Sequence, residues 1–248
     1  MQAEEIPMTT DSSVSLNCDR RDKILIGVDE AGRGPLLGAV HAASAILPKD
    51  INILNIYTDM TDKEDVFDYG LLKDSKKFSS KKKLYEVFEY VKENSFMYSI
   101  VDMSEEVIDK INIREATFRA MQKSISNVIL ECINKYPELT PYDFHVMIDG
   151  NAFKPMTIFY NDTLYPISFE TVISGDAIHK NIMAASILAK SERDSYIMKL
   201  CECHPELDER YKILKNKGYG TKDHIDGIKS YGYSEYHRKT FKLKSLQS

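Results

Sequence analysis

Two adjacent carboxylates, Asp29 and Glu30, end a short apolar run, Ile24-Leu25-Ile26-Gly27-Val28, and a loop with glycine at 32 and 34 and Pro35 follows at once. Side chains alternate along a strand, so one acid can face a cleft while its neighbour sits at the turn. Carboxylate oxygens suit hard cations such as Mg²⁺. Gly32 and Gly34 carry no Cβ, so the backbone there can come close to a ligand. The pattern recurs at Phe144-His145-Val146-Met147-Ile148-Asp149-Gly150, and Asp176 stands between a last strand and a long helix. Each of these alone is also an ordinary solvated turn. Together, acids converging from different strand ends can hold two divalent ions ~4 Å apart, which suits displacement at a phosphodiester.

That convergence needs strands. Five are expected, over residues 24–29, 38–47, 96–103, 144–149 and 166–173. In an α/β sheet such strand ends gather at one edge, where ligand sites form. Ser79 or Ser80 caps a helix starting near Lys81, with Leu84, Val87, Phe88 and Val91 at helical spacing. A short helix is expected over 105–111. A longer one opens at Ile111 and runs to about Lys135, carrying a packing stripe of Phe118, Met121, Ile125, Val128, Ile129 and Cys132. Residues 50–69 and 151–165 read as loops. Asn181 to Leu200 reads as a long helix, whose small residues Ala184-Ala185-Ser186 ask for close packing on the sheet.

At 248 residues the chain is long for one domain and short for two. No apolar run approaches membrane-spanning length. Met1 to Asp22 is polar, unlike a secretory signal, and reads as a disordered tail. The four cysteines are irregularly spaced, which fits free thiols in a reducing compartment. Cys201, Cys203 and His204 lie close together, but the second half of a zinc site is missing. A net charge of −5 argues against a non-specific nucleic-acid coat, yet Lys73, Lys76, Lys77 and Lys81 to Lys83 cluster, and the C-terminal end is basic. Each cluster reads as a solvated face or as part of a phosphate-tracking groove.

The string Gly27-Val28-Asp29-Glu30-Ala31-Gly32-Arg33-Gly34-Pro35-Leu36 resembles the signature of the type 2 ribonucleases H. Asp74-Ser75-Lys76 resembles the family's second motif. Gly175-Asp176-Ala177, followed by Ala184-Ala185-Ser186-Ile187 and Arg193-Asp194, resembles its third. Lys217-Gly218-Tyr219-Gly220-Thr221 and His237-Arg238-Lys239-Thr240-Phe241 resemble the single-subunit bacterial form. Ile178 and His179 depart from the pattern, standing where many members have Lys and Ser. That puts a phosphate contact there in doubt, for which Lys180 could compensate.

The resemblance implies a ribonuclease H-like α/β fold: a mixed five-stranded sheet flanked by helices, with a C-terminal helical region. The division it implies is a tail over 1–22, a catalytic domain over 23–200 and the helical region over 201–248. It implies hydrolysis of the RNA strand of RNA/DNA hybrids and incision 5′ to single ribonucleotides in duplex DNA, giving 3′-hydroxyl and 5′-phosphate ends. Asp29, Glu30, Asp149 and Asp176 would be catalytic and hold Mg²⁺ or Mn²⁺, two ions in the catalytic complex. Gly32, Arg33 and Gly34 would read the 2′-hydroxyl, Tyr219 would meet the sugar, and Ser75, Lys76 and Arg193 would contact substrate. The enzyme would be a cytoplasmic monomer serving ribonucleotide and primer removal, with no membrane partner. His224 and His237 are expected to pack. Rival readings are a junction-resolving or transposase-like nuclease of the same superfamily and a catalytically silent nucleic-acid-binding module.

Overall fold

The computed structural model describes residues 23–51, 67–73 and 75–241. The tail expected over 1–22 and most of the loop expected over 50–69 lie outside the described residues.

Strand β1 (Ile24–Ala31) is the centre of a five-stranded sheet. It pairs antiparallel with β2 (Val40–Ile46), which pairs antiparallel with β3 (Met97–Met103). On its other side it pairs parallel with β4 (Phe144–Asp149), and β4 pairs parallel with β7 (Ser168–Val172). The expected strands are all present within a few residues at their ends. The region expected as loop over 151–165 is different. It holds a hairpin, β5 (Thr157–Tyr160) and β6 (Thr163–Pro166). Asn161 and Asp162 form its two-residue turn, at φ 47° and 58°. Two positive φ values are what such a turn needs, and Asn and Asp tolerate them.

Alternation along β1 sorts its side chains. Ile24, Ile26 and Val28 pack with Val146 and Ile148 of β4 against α3 (Ile113–Lys135), through Ile125, Val128 and Ile129. The two helices expected to meet near Ile111 are both present. A short helix, α2 (Glu105–Ile111), ends there, and Asn112 at φ 68° caps α3 by accepting from the Glu115 N–H. A side-chain cap on a residue with no helical φ explains the break.

The other sheet face carries α1 (Lys81–Asn94), capped by Ser80 as expected, and α4 (Lys180–Cys203). Ala184, Ala185, Ile187 and Leu188 of α4 meet Ala43 and Ala45 of β2 with Val87 and Phe88 of α1. The helix passes so close to β1 that a Cβ on Gly27 would lie 2.1 Å from the Asn181 carbonyl carbon. Glycine is the residue that permits this approach. Beyond α4 the chain forms α5 (Pro205–Tyr211), α6 (Ile213–Asn216) and α7 (Lys222–Tyr231). Leu207, Tyr211, Ile213 and Ile228 from these helices share an apolar cluster with Ile197 of α4 and Leu36 and Leu37 of the loop after β1.

Candidate active site

The parallel pairing of β1 with β4 puts both carboxylate-bearing strand ends at one edge of the sheet. Asp29 lies on the α4 face of β1, like Gly27, whereas Glu30 lies on the α3 face. Asp176 sits in a 3-10 turn (Gly175–Ala177) between β7 and α4, and its N–H points at Asp149 Oδ1 at 3.4 Å. The four acids line one cleft of ≈ 330 Å³ together with Gly32, Ser75, Ser186, Lys190, Arg193 and Tyr219. A second hollow of ≈ 420 Å³ shares Glu30 and Asp149 and continues past Arg33 to Arg114 and Thr117. Glu30 and Asp149 thus stand on the ridge between two halves of an elongated groove.

Asp29 is 6% exposed and Asp176 8%. Burial pushes the Asp29 carboxyl well above the usual range, and the charges of Glu30 and Asp149 push it further. A bond from Ser186 and the Glu30 N–H at 2.7 Å oppose the rise. Glu30 is also raised by burial, with Arg33 opposing across 3.2 Å. Acids buried together against their own repulsion fit a hard divalent cation as counter-charge, in donor type and in sign. The set is an open wall: among the described residues no three His, Cys, Asp or Glu side chains close around one point.

The loop after β1 is held from behind. At Gly32, φ is 93° and a Cβ would lie 2.2 Å from Arg193 Nε, so only glycine fits. Arg193, 2% exposed, lies beneath the loop and donates to the Lys217 carbonyl at 3.0 Å. Arg33 points outward on the ridge, and a Cβ on Gly34 would meet Tyr219 Cε1 at 3.3 Å. The Tyr219 ring, 49% exposed, therefore lies against Gly34 at the mouth of the cleft. Ser75 is buried beside Ser186, Oγ to Oγ 3.1 Å. Lys76 shares the 3-10 turn Ser75–Lys77, but its side chain lies outside what is described. Lys180 donates to the Leu72 carbonyl at 3.0 Å, away from the cleft.

Residues to which the sequence assigned no part in the cleft complete the arrangement. Ser186 bridges Ser75 and Asp29, and Lys190 enters the cleft while paired with Asp194 at 2.7 Å. Both lie on the small-residue face of α4, one helical turn apart, in the stretch that resembles the family's third motif. Arg238 is fully buried and donates to four carbonyls of the loop: Gly32 (2.7 Å), Arg33 (3.0 Å), Pro35 (2.8 Å) and Gly38 (2.8 Å). Next to it, His237 lies 3.0 Å from His224, Nε2 to Nε2, and His224 Nδ1 lies 3.0 Å from the Tyr219 carbonyl.

Known proteins bear on this arrangement. The family model described as Ribonuclease HII matches residues 26–244. A curated ribonuclease HII of Parabacteroides distasonis is 40% identical over 222 residues, 89% of this chain and 91% of that one. Among solved structures, the ribonuclease H2 of Pyrococcus horikoshii superposes with a TM-score of 0.59 at 20% identity, covering 88% of this chain and 93% of that one. Bst-RNase HIII in complex with Mn²⁺ superposes with a TM-score of 0.53 at 14% identity, covering 84% and 70%. At such identities these two establish the fold, a ribonuclease H-like sheet with a C-terminal helical region.

Proposed function

Because the chain belongs to the ribonuclease HII family and cleaves the RNA of RNA/DNA hybrids, we propose that it also incises 5′ to a single ribonucleotide embedded in duplex DNA. The products carry a 3′-hydroxyl and a 5′-phosphate. One observation carries the reading: a buried carboxylate cluster and a glycine-lined, tyrosine-faced mouth share one cleft.

Asp29, Glu30, Asp149 and Asp176 are the residues that hold divalent ions, Mg²⁺ or Mn²⁺, two in the catalytic complex. Ions held there would supply the positive charge that makes water acidic and offsets the charge of the displacement. The Mn²⁺ complex of Bst-RNase HIII supports an ion of this class. No imidazole lines the cleft among the described residues, so the chain offers no histidine base there.

The backbone of Gly32, Arg33 and Gly34 reads the 2′-hydroxyl, the group that separates RNA from DNA by donating and accepting. Tyr219 bounds the sugar from the far side of Gly34. Ser75 and Lys76 hold phosphates. Arg193 serves from beneath, keeping Gly32 and the Lys217–Tyr219 segment in register. No helix among the described residues is long and apolar enough to cross a membrane, and the enzyme acts as a cytoplasmic monomer on nucleic acid during ribonucleotide and primer removal.

The test is labelled duplex DNA with one ribonucleotide, incubated with Mg²⁺ and separately Mn²⁺, beside Asp149→Asn. Incision 5′ to the ribonucleotide, absent in the variant, is expected. Cleavage of long hybrids only would overturn the single-ribonucleotide reading.

A further inference from the structure

The two imidazoles behind Tyr219 are joined in a chain with only one direction. Ser234 aims its N–H (2.9 Å) and its hydroxyl (2.8 Å) at His237 Nδ1. An amide N–H only donates, so His237 Nδ1 accepts, and the proton of the neutral ring sits on Nε2. That atom lies 3.0 Å from His224 Nε2, which must then accept. The proton of His224 is left on Nδ1, 3.0 Å from the Tyr219 carbonyl, which can only accept. Both rings are fully buried, and burial holds both below the ordinary histidine range, His237 at about 3. Each therefore stays neutral with a single proton to place. The sequence Ser234 to His237 to His224 to Tyr219 places each ring proton once, and reversing either ring sets donor against donor.

The chain ends on a residue that needs holding. Tyr219 lies in a segment tied down through backbone: Leu36 N–H to the Gly218 carbonyl (2.7 Å) and Tyr219 N–H to the Asn216 carbonyl (3.0 Å). Its ring is half exposed and lies against Gly34, which has no side chain to steady it. The Tyr219 carbonyl accepts from the Thr221 N–H at 2.8 Å and lies 3.0 Å from His224 Nδ1. Thr221 holds this carbonyl from within the turn and His224 holds it from α7, so the backbone that carries the ring is fixed from two sides. Neither histidine lines the cleft, so any influence on the reaction passes through Tyr219.

We propose that His224 and His237 are positioning residues for ribonucleotide recognition: His224 anchors the Tyr219 carbonyl, and His237 holds His224 in the one tautomer that can do so. The inference rests on the sugar-bounding role given to Tyr219 above.

The test is a double-mutant cycle on kcat/KM with duplex DNA carrying one ribonucleotide. Wild type, Tyr219→Ala, His224→Leu and the double variant are compared. His224→Leu is expected to lose tenfold or more, and the double variant to lose no more than Tyr219→Ala alone. Losses that multiply in the double variant would overturn the proposal, because a general structural role acts independently of Tyr219. A folded His224→Leu at wild-type rate beside an impaired Tyr219→Ala would overturn it while leaving the Tyr219 reading intact. Tyr219→Ala at wild-type rate would overturn both. Should His224→Leu fail to fold, two polar variants decide. His237→Gln keeps a donor toward His224, and His237→Asn keeps only the group facing Ser234. The glutamine variant is expected to be at least fivefold more active, and equal activities would overturn the proposal.

Discussion

The guanidinium of Arg238 donates to the carbonyl of Gly32 at 2.7 Å across 206 positions of sequence. Three further carbonyls of the same loop accept from the same side chain. A planar fork can satisfy four acceptors at fixed angles, and an ammonium on a flexible stem cannot. Burial lowers the Arg238 pKa to about 9, with neighbouring Arg193 adding to the fall, and still leaves the group charged at neutral pH.

Arg238→Lys is therefore expected to destabilise the protein by at least about 3 kcal/mol, since several buried acceptors lose a charged partner. Urea unfolding at pH 7.5 measures it. An unchanged midpoint would show that water replaces the guanidinium at little cost.

Asp29→Asn is expected to separate stability from activity. The carboxylate is buried beside Glu30 and Asp149 and repelled by both. Neutralising it should raise stability by on the order of 1 kcal/mol in metal-free buffer while abolishing cleavage. Thermal melts in EDTA and in Mg²⁺ test both halves. Wild type should gain Tm on adding Mg²⁺, and the variant should gain less. A variant less stable than wild type in EDTA would contradict the reading of this cluster as a repulsive one.

At Gly27 the obstacle is backbone, at 2.1 Å from a new Cβ, and backbone cannot rotate away as a side chain can. Gly27→Ala should cost about 3 kcal/mol or more by forcing α4 off β1. Soluble yield and the urea midpoint report it. A near-neutral result would mean the helix shifts freely.

His237 makes stability depend on acid. Its pKa is near 3 in the folded chain against 6.5 in the open one. Between those values the unfolded chain takes up a proton that the native chain refuses. The contribution is complete above pH 6.5 and is lost as pH falls, by about 1 kcal/mol per unit. Urea midpoints at pH 7.5, 6.0 and 5.0 should decline more steeply for wild type than for His237→Gln. Parallel declines would assign the acid sensitivity to other groups.

What the sequence revealed and what it hid divide along the length of the interaction. The strand ends of Asp29 and Asp149 showed because an apolar run, an acid and a glycine are neighbours in the chain. Ser80 showed as a cap because capping acts over three residues. The β5–β6 hairpin had a local mark in Asn161-Asp162, but its strands are four residues each, too short for alternation to stand out. The boundary between α2 and α3 showed to within two residues, whereas the positive φ at Asn112 that makes it is a backbone value the apolar stripe does not record. Arg193 resembled a substrate contact by motif, and only the packing under Gly32 shows where the guanidinium lies. The four acceptors of Arg238 are carbonyls, present on every residue, so no side-chain pattern could point to them.

The hold of Arg238 on Gly32 also orders events in time. A ribosome adds about 5–20 residues per second, so roughly 10–40 s pass between making Gly32 and making its partner. The other four strands of the sheet are synthesised within that interval, before the guanidinium that holds the loop exists. All four acids are therefore made before the residue that fixes the rim. The loop proposed to read the ribose is thus the part of the cleft whose support is synthesised last.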